Sequence, residues 1–124
     1  MSTQLNPVHW FEIPVSDMAR ARAFYENVFG VKLDPLDAGP MKMAWFPRPE
    51  KAAGSSGGLV QAPGRVPSVS GTIVFFSVAD IDATLAVVVK HGGKVVMPKS
   101  GGGSGSIAHF EDSEGNLIAL FSHP

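Results

Sequence analysis

Apolar residues follow two different periods along this chain. Residues 8–15 form an almost continuous apolar run, which is typical of a strand that is covered on both faces. In residues 18–29 the apolar side chains recur at helical spacing. Ser16 or Asp17 can cap the first turn of this helix, and Gly30 can end it in the left-handed conformation. The pattern therefore predicts a buried strand followed by an amphipathic helix.

The same strand and helix return in the second half of the chain. Residues that mark the strand end, the helix cap and the helix stop occur in both halves, always 63 residues apart. These pairs are Val15 and Val78, Asp17 and Asp80, and Gly30 and Gly93. A constant offset over three structural markers predicts one supersecondary unit that is used twice.

Three further strands are predicted after each helix, because short apolar segments alternate with turn-forming compositions. They are expected at residues 31–36, 40–47, 59–61, 94–97, 106–111 and 117–122. The predicted fold class is therefore α+β, with two βαβββ modules in tandem. We expect a single domain over residues 1–124, made of a module at 8–61, a connector at 62–70 and a module at 71–122.

Composition narrows the possible partners and surroundings of the protein. The net charge is −1, and Lys and Arg form no stripe with aromatic residues, so nucleic acid is not an expected partner. The chain has no cysteine, which excludes disulfides, thiolate metal sites and a cysteine nucleophile. No segment approaches the roughly 20 apolar residues that cross a bilayer, and residues 1–6 lack the order of a signal peptide. We therefore expect a cytoplasmic protein with no membrane partner.

Two local motifs agree with the repeat. The first half contains Val-x-Asp before its helix and Phe-Tyr followed by Phe-Gly at its end, and the second half contains Phe-Glu-Asp-x-Glu-Gly-Asn before its last strand. Together with the doubled module, these motifs resemble the vicinal oxygen chelate superfamily, which includes glyoxalase I, bleomycin-resistance proteins, fosfomycin-resistance enzymes and extradiol dioxygenases. The resemblance covers residues 8–122 and implies that the modules form a cup-shaped, incomplete β-barrel with flanking helices. It also implies a homodimer.

In metal-using members of that superfamily, the ligands occupy inward positions on particular strands. The matching positions here are Trp10, Ile73 and Ala119, and none of these side chains can donate to a cation. Gln61 lies near the fourth position and offers one weak neutral donor. His9 is adjacent to the first position, but a shift of one residue along a strand turns a side chain to the opposite face. We therefore predict neither a metal nor another cofactor.

Two polar residues remain as candidates for catalysis. Glu12 shares a strand face with Trp10, and His109 resembles the substrate-contacting position of the fosfomycin-type members. A carboxylate in an apolar cup and an imidazole nearby can act as acid and base. The structural alternatives are that Glu12 pairs with an Arg or Lys or with backbone N–H groups, and that His109 is an ordinary strand histidine.

An apolar ligand wall is predicted in the same cup, formed by aromatic and methionine residues at alternating strand positions. Its members are Trp10, Met43, Trp45, Phe75 and Phe121. The alternative is that they belong to the hydrophobic core, which is the commoner role of such residues. The glycine-rich residues 100–105 are expected to form a flexible loop that suits a lid, and the acidic residues around 111–116 are expected to form a solvated hairpin turn.

The sequence thus favours a metal-free, homodimeric protein that binds a small organic molecule. The alternative is an enzyme of the lyase or isomerase type, using either Glu12 and His109 or a metal held by an unusual set that adds His9 and Gln61. A third possibility is an interaction module whose cup is filled by its own side chains.

Overall fold

The computed structural model describes residues 5–124 and contains two helices and eight strands in the predicted order. The first module consists of β1 (Trp10–Pro14), α1 (Met18–Phe29), β2 (Asp34–Ala38), β3 (Met41–Trp45) and β4 (Ser56–Gln61). The second consists of β5 (Val74–Ser77), α2 (Ile81–Lys90), β6 (Lys94–Gly102), β7 (Gly105–Glu111) and β8 (Leu117–Ser122). Among the described residues, neither helix is long and apolar enough to span a membrane.

Both modules have the same strand topology. The first sheet has the order β1-β4-β3-β2 and the second has the order β5-β8-β7-β6. In each sheet the first and last strands of the module pair in parallel, and the other neighbours are antiparallel. The prediction of an α+β fold with two tandem βαβββ modules is therefore confirmed. The two sheets remain open and do not join into a closed barrel.

The two helices follow the predicted repeat at their N-terminal caps and depart from it at their C-terminal ends. The side chains of Asp17 and Asp80 accept hydrogen bonds from the backbone N–H groups of Arg20 and Ala83, at 3.1 and 3.0 Å. Gly30 ends α1 in the left-handed region, with φ of 62°. In the second module the left-handed residue is Gly92 and not Gly93, because α2 is two residues shorter than α1.

A single hydrophobic core runs through both modules. The helices contact each other, and the core contains buried residues from both sheets. Phe24 of α1 lies 6.0 Å from Phe110 of β7, measured between ring centroids, and Phe76 of β5 stacks on Phe29 of α1 at 4.4 Å. Each sheet therefore turns one face to the shared core and the other face away from it.

The turn between β7 and β8 fastens the second module to the first. Asp112 and Asn116 are 4% and 5% exposed, and Asp112 accepts a hydrogen bond of 2.5 Å from the hydroxyl of Tyr25 on α1. Asn116 donates to the backbone oxygen of Pro14 at 2.8 Å. Burial, followed by the neighbouring Asp112 carboxylate, raises the pKa of Tyr25 well above its ordinary value. The prediction of a solvated turn is wrong, because these polar groups are buried and are satisfied by hydrogen bonds within the turn and to the other module.

Glu114 from the same turn holds the start of α1. Its side chain is fully buried and accepts hydrogen bonds of 2.9 Å from the backbone N–H groups of Ser16 and Asp17. The Arg20 guanidinium adds an ion pair at 2.7 Å. Burial acts to raise the pKa of Glu114, but the hydrogen bonds from Arg20 and the two amides outweigh it and lower the pKa. A carboxylate of one module thus neutralises the positive end of the other module's helix.

Two predicted loops are shorter in the structure. Residues 100–105 were expected to form a flexible loop, but β6 continues to Gly102 and β7 begins at Gly105. Gly105 has φ of 126°, and a Cβ atom there would lie 2.7 Å from the Phe121 ring. The glycine therefore permits close packing of a tight hairpin, and the prediction of a flexible loop is wrong. Likewise, β4 begins at Ser56, three residues before the start of the predicted strand at 59–61.

Candidate functional site

The predicted ligand wall is divided between the outward faces of the two sheets. In the first sheet Ile13, Ala44 and Leu59 belong to the core, so the alternate side chains on β1, β3 and β4 point away from it. Trp10, Glu12, Met43 and Trp45 occupy this outward face. Trp10 and Trp45 make an edge-to-face contact with ring centroids 5.4 Å apart.

The outward face of the second sheet carries the other candidates. Ala108, Phe110, Ile118 and Leu120 belong to the core, which leaves Phe75, His109 and Phe121 on the opposite face. Strand pairing places Phe75 and His109 on either side of Ala119. The rings of Phe75 and His109 lie 6.2 Å apart between centroids, and Phe75 is 52% exposed.

An open groove with a volume of about 1440 Å³ lies where the two modules meet. Its walls include β1 and β5, the end of α1, the start of α2 and residues 46–49 and 52–56. Of the predicted site residues, Trp10, Glu12 and Phe75 line this groove. Met43, Trp45, His109 and Phe121 lie on the outward faces and are not part of its lining.

Glu12 and His109 are on different sheets, and no hydrogen bond joins them in the part of the chain that the structure describes. Instead, the Glu12 carboxylate accepts a hydrogen bond from the Arg65 guanidinium at 2.9 Å, in a partly exposed ion pair. This ion pair is the structural alternative that the sequence left open for Glu12. It does not prevent Glu12 from contacting a ligand, because Glu12 also lines the groove.

The residues at the family's metal positions do not fit a metal ion. Trp10, Ile73 and Ala119 offer no donor atoms to a cation. Gln61 lies on the helix side of its strand, where its oxygen accepts a hydrogen bond from the N–H of Met18 at 2.9 Å. Across residues 5–124, no group of three or more His, Asp or Glu side chains is arranged to hold a metal ion.

Sequence reasoning missed Arg48 and Gly58, which shape the outward face of the first sheet. The Arg48 guanidinium lies over the Trp45 ring, 4.6 Å from its centroid, and Arg48 lines the groove. Gly58 pairs with both Trp45 and Glu12, and a Cβ atom on Gly58 would lie 2.9 Å from Trp45 Cδ1. The sequence showed only an arginine between two prolines and a glycine in a glycine-rich segment, and neither pattern specifies a position beside a tryptophan.

The chain matches the model of the Glyoxalase/Bleomycin resistance protein/Dioxygenase superfamily over residues 8–120. It therefore belongs to that superfamily, as the doubled module and its motifs predicted. The family assignment agrees with the observed pair of βαβββ modules.

Individual relatives extend the comparison. The chain is 32% identical over 118 residues to a glyoxylase-like domain-containing protein of Didymella fabae, with 91% of each chain covered. A glyoxalase/bleomycin resistance protein from Albidiferax ferrireducens has a TM-score of 0.75 at 16% identity, covering 96% of this chain and 100% of that one. TnmS3, an antibiotic binding protein from a Streptomyces species, has a TM-score of 0.70 at 26% identity, covering 99% and 100%.

Proposed function

We propose that this protein binds a small, partly apolar organic molecule in the groove between β1 and β5, without requiring a metal ion. The observation that carries the proposal is the composition of this groove. Aromatic side chains, including Trp10 and Phe75, line it together with a small number of charged groups. Ligand sites in proteins are typically concave and mostly apolar, with a few polar groups that fix the orientation of the ligand.

Glu12 and His109, the two polar candidates, are placed differently relative to the proposed ligand. Glu12 lines the groove and is held in position by Arg65, so it can accept a hydrogen bond from a ligand hydroxyl or amine. His109 neighbours Phe75 but does not line the groove, so it would contact a ligand that extends over the outward face of the second sheet. The description of TnmS3 as an antibiotic binding protein also supports a binding function for this chain.

A second copy of the chain is the proposed partner that completes the site. The groove is larger than the roughly 300–1,000 Å³ of ordinary ligand pockets, and it is open to solvent. Within residues 5–124, β1 pairs only with β4 and β5 pairs only with β8, so each has one edge without a strand partner. Phe75 on β5 is half exposed, and a dimer interface would bury it.

Ligand binding can be tested by a thermal-shift screen of small organic molecules against wild type, Phe75→Ser and Val96→Ser. Phe75 is 52% exposed and lines the groove, whereas Val96 is 50% exposed and lies outside it. We expect a hit to stabilise wild type and Val96→Ser and to lose its effect on Phe75→Ser, because a ligand that prefers the native state must stabilise it. Equal shifts in all three proteins would contradict binding in this groove.

The metal-free part of the proposal needs a separate experiment. Chelator-treated protein is titrated with Mn, Fe(II), Co, Ni and Zn ions, and the metal content of untreated protein is measured. We expect no saturable rise in melting temperature. A rise with one bound metal per chain would instead favour the alternative of an enzyme with a non-standard metal site, in which case Glu12→Gln should abolish turnover.

Self-association can be measured by sedimentation velocity. We expect a dimer for wild type and for Val66→Glu, which changes a connector residue that is 73% exposed, and a monomer for Phe75→Glu. A monomeric wild type would contradict the proposed dimer.

A cytoplasmic location is proposed as well, supported by the absence of cysteine, and cell fractionation tests it.

A further inference from the structure

Both tryptophans of the chain lie together on the outward face of the first sheet. Trp45 lies across Gly58, whose missing side chain leaves room for the indole, and Trp10 meets the Trp45 ring edge to face. We call this pair the tryptophan shelf. It offers two partly exposed aromatic rings, at an interplanar angle of 76°, beside the groove.

Two hydrogen-bond donors at this shelf lack an acceptor. The Nε1 atom of Trp45 is buried, and no described residue accepts its proton. The Arg48 guanidinium lies over the same ring, and no salt bridge within residues 5–124 includes it. A buried donor without a partner costs about 1–3 kcal/mol, so such groups are uncommon and call for an explanation. Trp45 Nε1 is such a buried group, whereas the exposed Arg48 guanidinium is accessible to an anionic ligand.

The carboxylates that line the groove already have partners within the chain. Glu12 is paired with Arg65, and the Asp80 carboxylate accepts a hydrogen bond from Ala83 at the start of α2. His9, the remaining titratable group in the groove, carries no negative charge in either protonation state. Arg48 is the Lys or Arg side chain that lines the groove, and no salt bridge within the described residues includes it. Its planar guanidinium, stacked on an indole, suits a carboxylate that lies in the plane of an aromatic ring.

We propose that the tryptophan shelf and Arg48 select planar aromatic molecules that carry a carboxylate. The aromatic part stacks on the shelf, and the carboxylate pairs with the Arg48 guanidinium. This inference rests on the proposed binding function and adds the chemical class of the ligand. It distinguishes an anionic aromatic ligand from both a neutral aromatic compound and a non-aromatic acid.

The test uses isothermal titration calorimetry with three matched probes: 2-naphthoate, the neutral 2-naphthamide, and decahydro-2-naphthoate, which keeps the carboxylate but is not planar. Wild type should bind 2-naphthoate most tightly. Replacement of Arg48 by Gln should weaken 2-naphthoate binding by about fivefold to tenfold and leave 2-naphthamide unchanged, as expected for a partly exposed charge pair. Arg48→Lys should restore part of the affinity, because it keeps the charge without the planar fork.

Lys99→Gln, which removes an exposed positive charge on β6, is the matched control and should not change binding of any probe. The inference is overturned if 2-naphthoate does not bind, if it binds no better than the other two probes, or if Arg48→Gln and Lys99→Gln have equal effects. Tight binding of 2-naphthamide alone would overturn the proposal that the ligand is anionic but would leave the proposed binding function intact. Failure of the whole binding function is decided separately, by the ligand screen with Phe75→Ser.

Discussion

The hydrogen bond between Tyr25 and Asp112 gives the sharpest test of how the two modules are joined. The change is Tyr25→Phe, which removes one oxygen atom and keeps the ring. Tyr25 is fully buried and Asp112 is 4% exposed, so water cannot replace the lost contact. The bond is 2.5 Å long and its acceptor is a carboxylate, which places it among the stronger hydrogen bonds in proteins.

The expected cost follows from what Asp112 keeps. Hydrogen bonds to charged groups contribute about 1.5–3 kcal/mol. In the variant, Asp112 still accepts bonds from the N–H of Glu114 and from the N–H and side-chain amide of Asn116, at 2.8, 2.9 and 3.0 Å. We therefore expect the free energy of unfolding to fall by about 2 kcal/mol, and the melting temperature to fall by about 6–10 °C.

Urea unfolding of a double-mutant cycle with Asp112→Asn measures the bond itself. Tyr25→Phe should cost less in the Asn background, because the charged acceptor is already gone. The reasoning is refuted if Tyr25→Phe lies within about 0.5 kcal/mol of wild type, or if its cost is the same in both backgrounds.

Tyr25 is the only tyrosine of the chain, so its ionisation can be followed alone by absorbance at 295 nm. Its pKa is raised in the folded protein, so the unfolded chain releases the proton first as the pH rises. This contribution to stability is complete below the ordinary tyrosine pKa of about 10 and is lost as the pH rises toward the folded value. Tyr25→Phe should remove that alkaline loss, and titration of native wild type near pH 10 would contradict the buried bond.

Two further predictions concern the other close contacts. Glu114 has a lowered pKa in the folded protein, so its contribution to stability is present above the ordinary value and is lost as the pH falls below it. Glu114→Gln should therefore be less stable than wild type at pH 7 and should lose less stability between about pH 5 and 3, as measured by urea unfolding. Parallel pH profiles of the two proteins would argue against the contact of Glu114 with the start of α1. Gly58→Ala places a Cβ atom 2.9 Å from Trp45 and should cost about 1–3 kcal/mol and shift tryptophan emission. Gly102→Ala has no atom within 4 Å and is the control, so equal effects of the two substitutions would contradict the packing of the tryptophan shelf.

The candidate site was only partly visible in the sequence. Alternation along each strand showed which side chains share a strand face, such as Trp10 and Glu12, since that period is a local property of the strand. It could not show that Glu12 pairs with Arg65, 53 residues away, or that Arg48 covers Trp45. Those contacts depend on the paths of connecting segments, which hydrophobic patterning leaves undefined.

The doubled βαβββ module follows from the amino-acid pattern alone, because strand period, helix period and helix caps are local and each half repeats them. The way in which the halves meet became visible only in the folded chain. The turn at Asp112 and Glu114 looks like an exposed acidic hairpin in sequence, yet its carboxylates are buried against Tyr25 and the start of α1. A polar group can be buried wherever its hydrogen bonds are satisfied, and the partners of these carboxylates lie about 90 residues earlier in the chain.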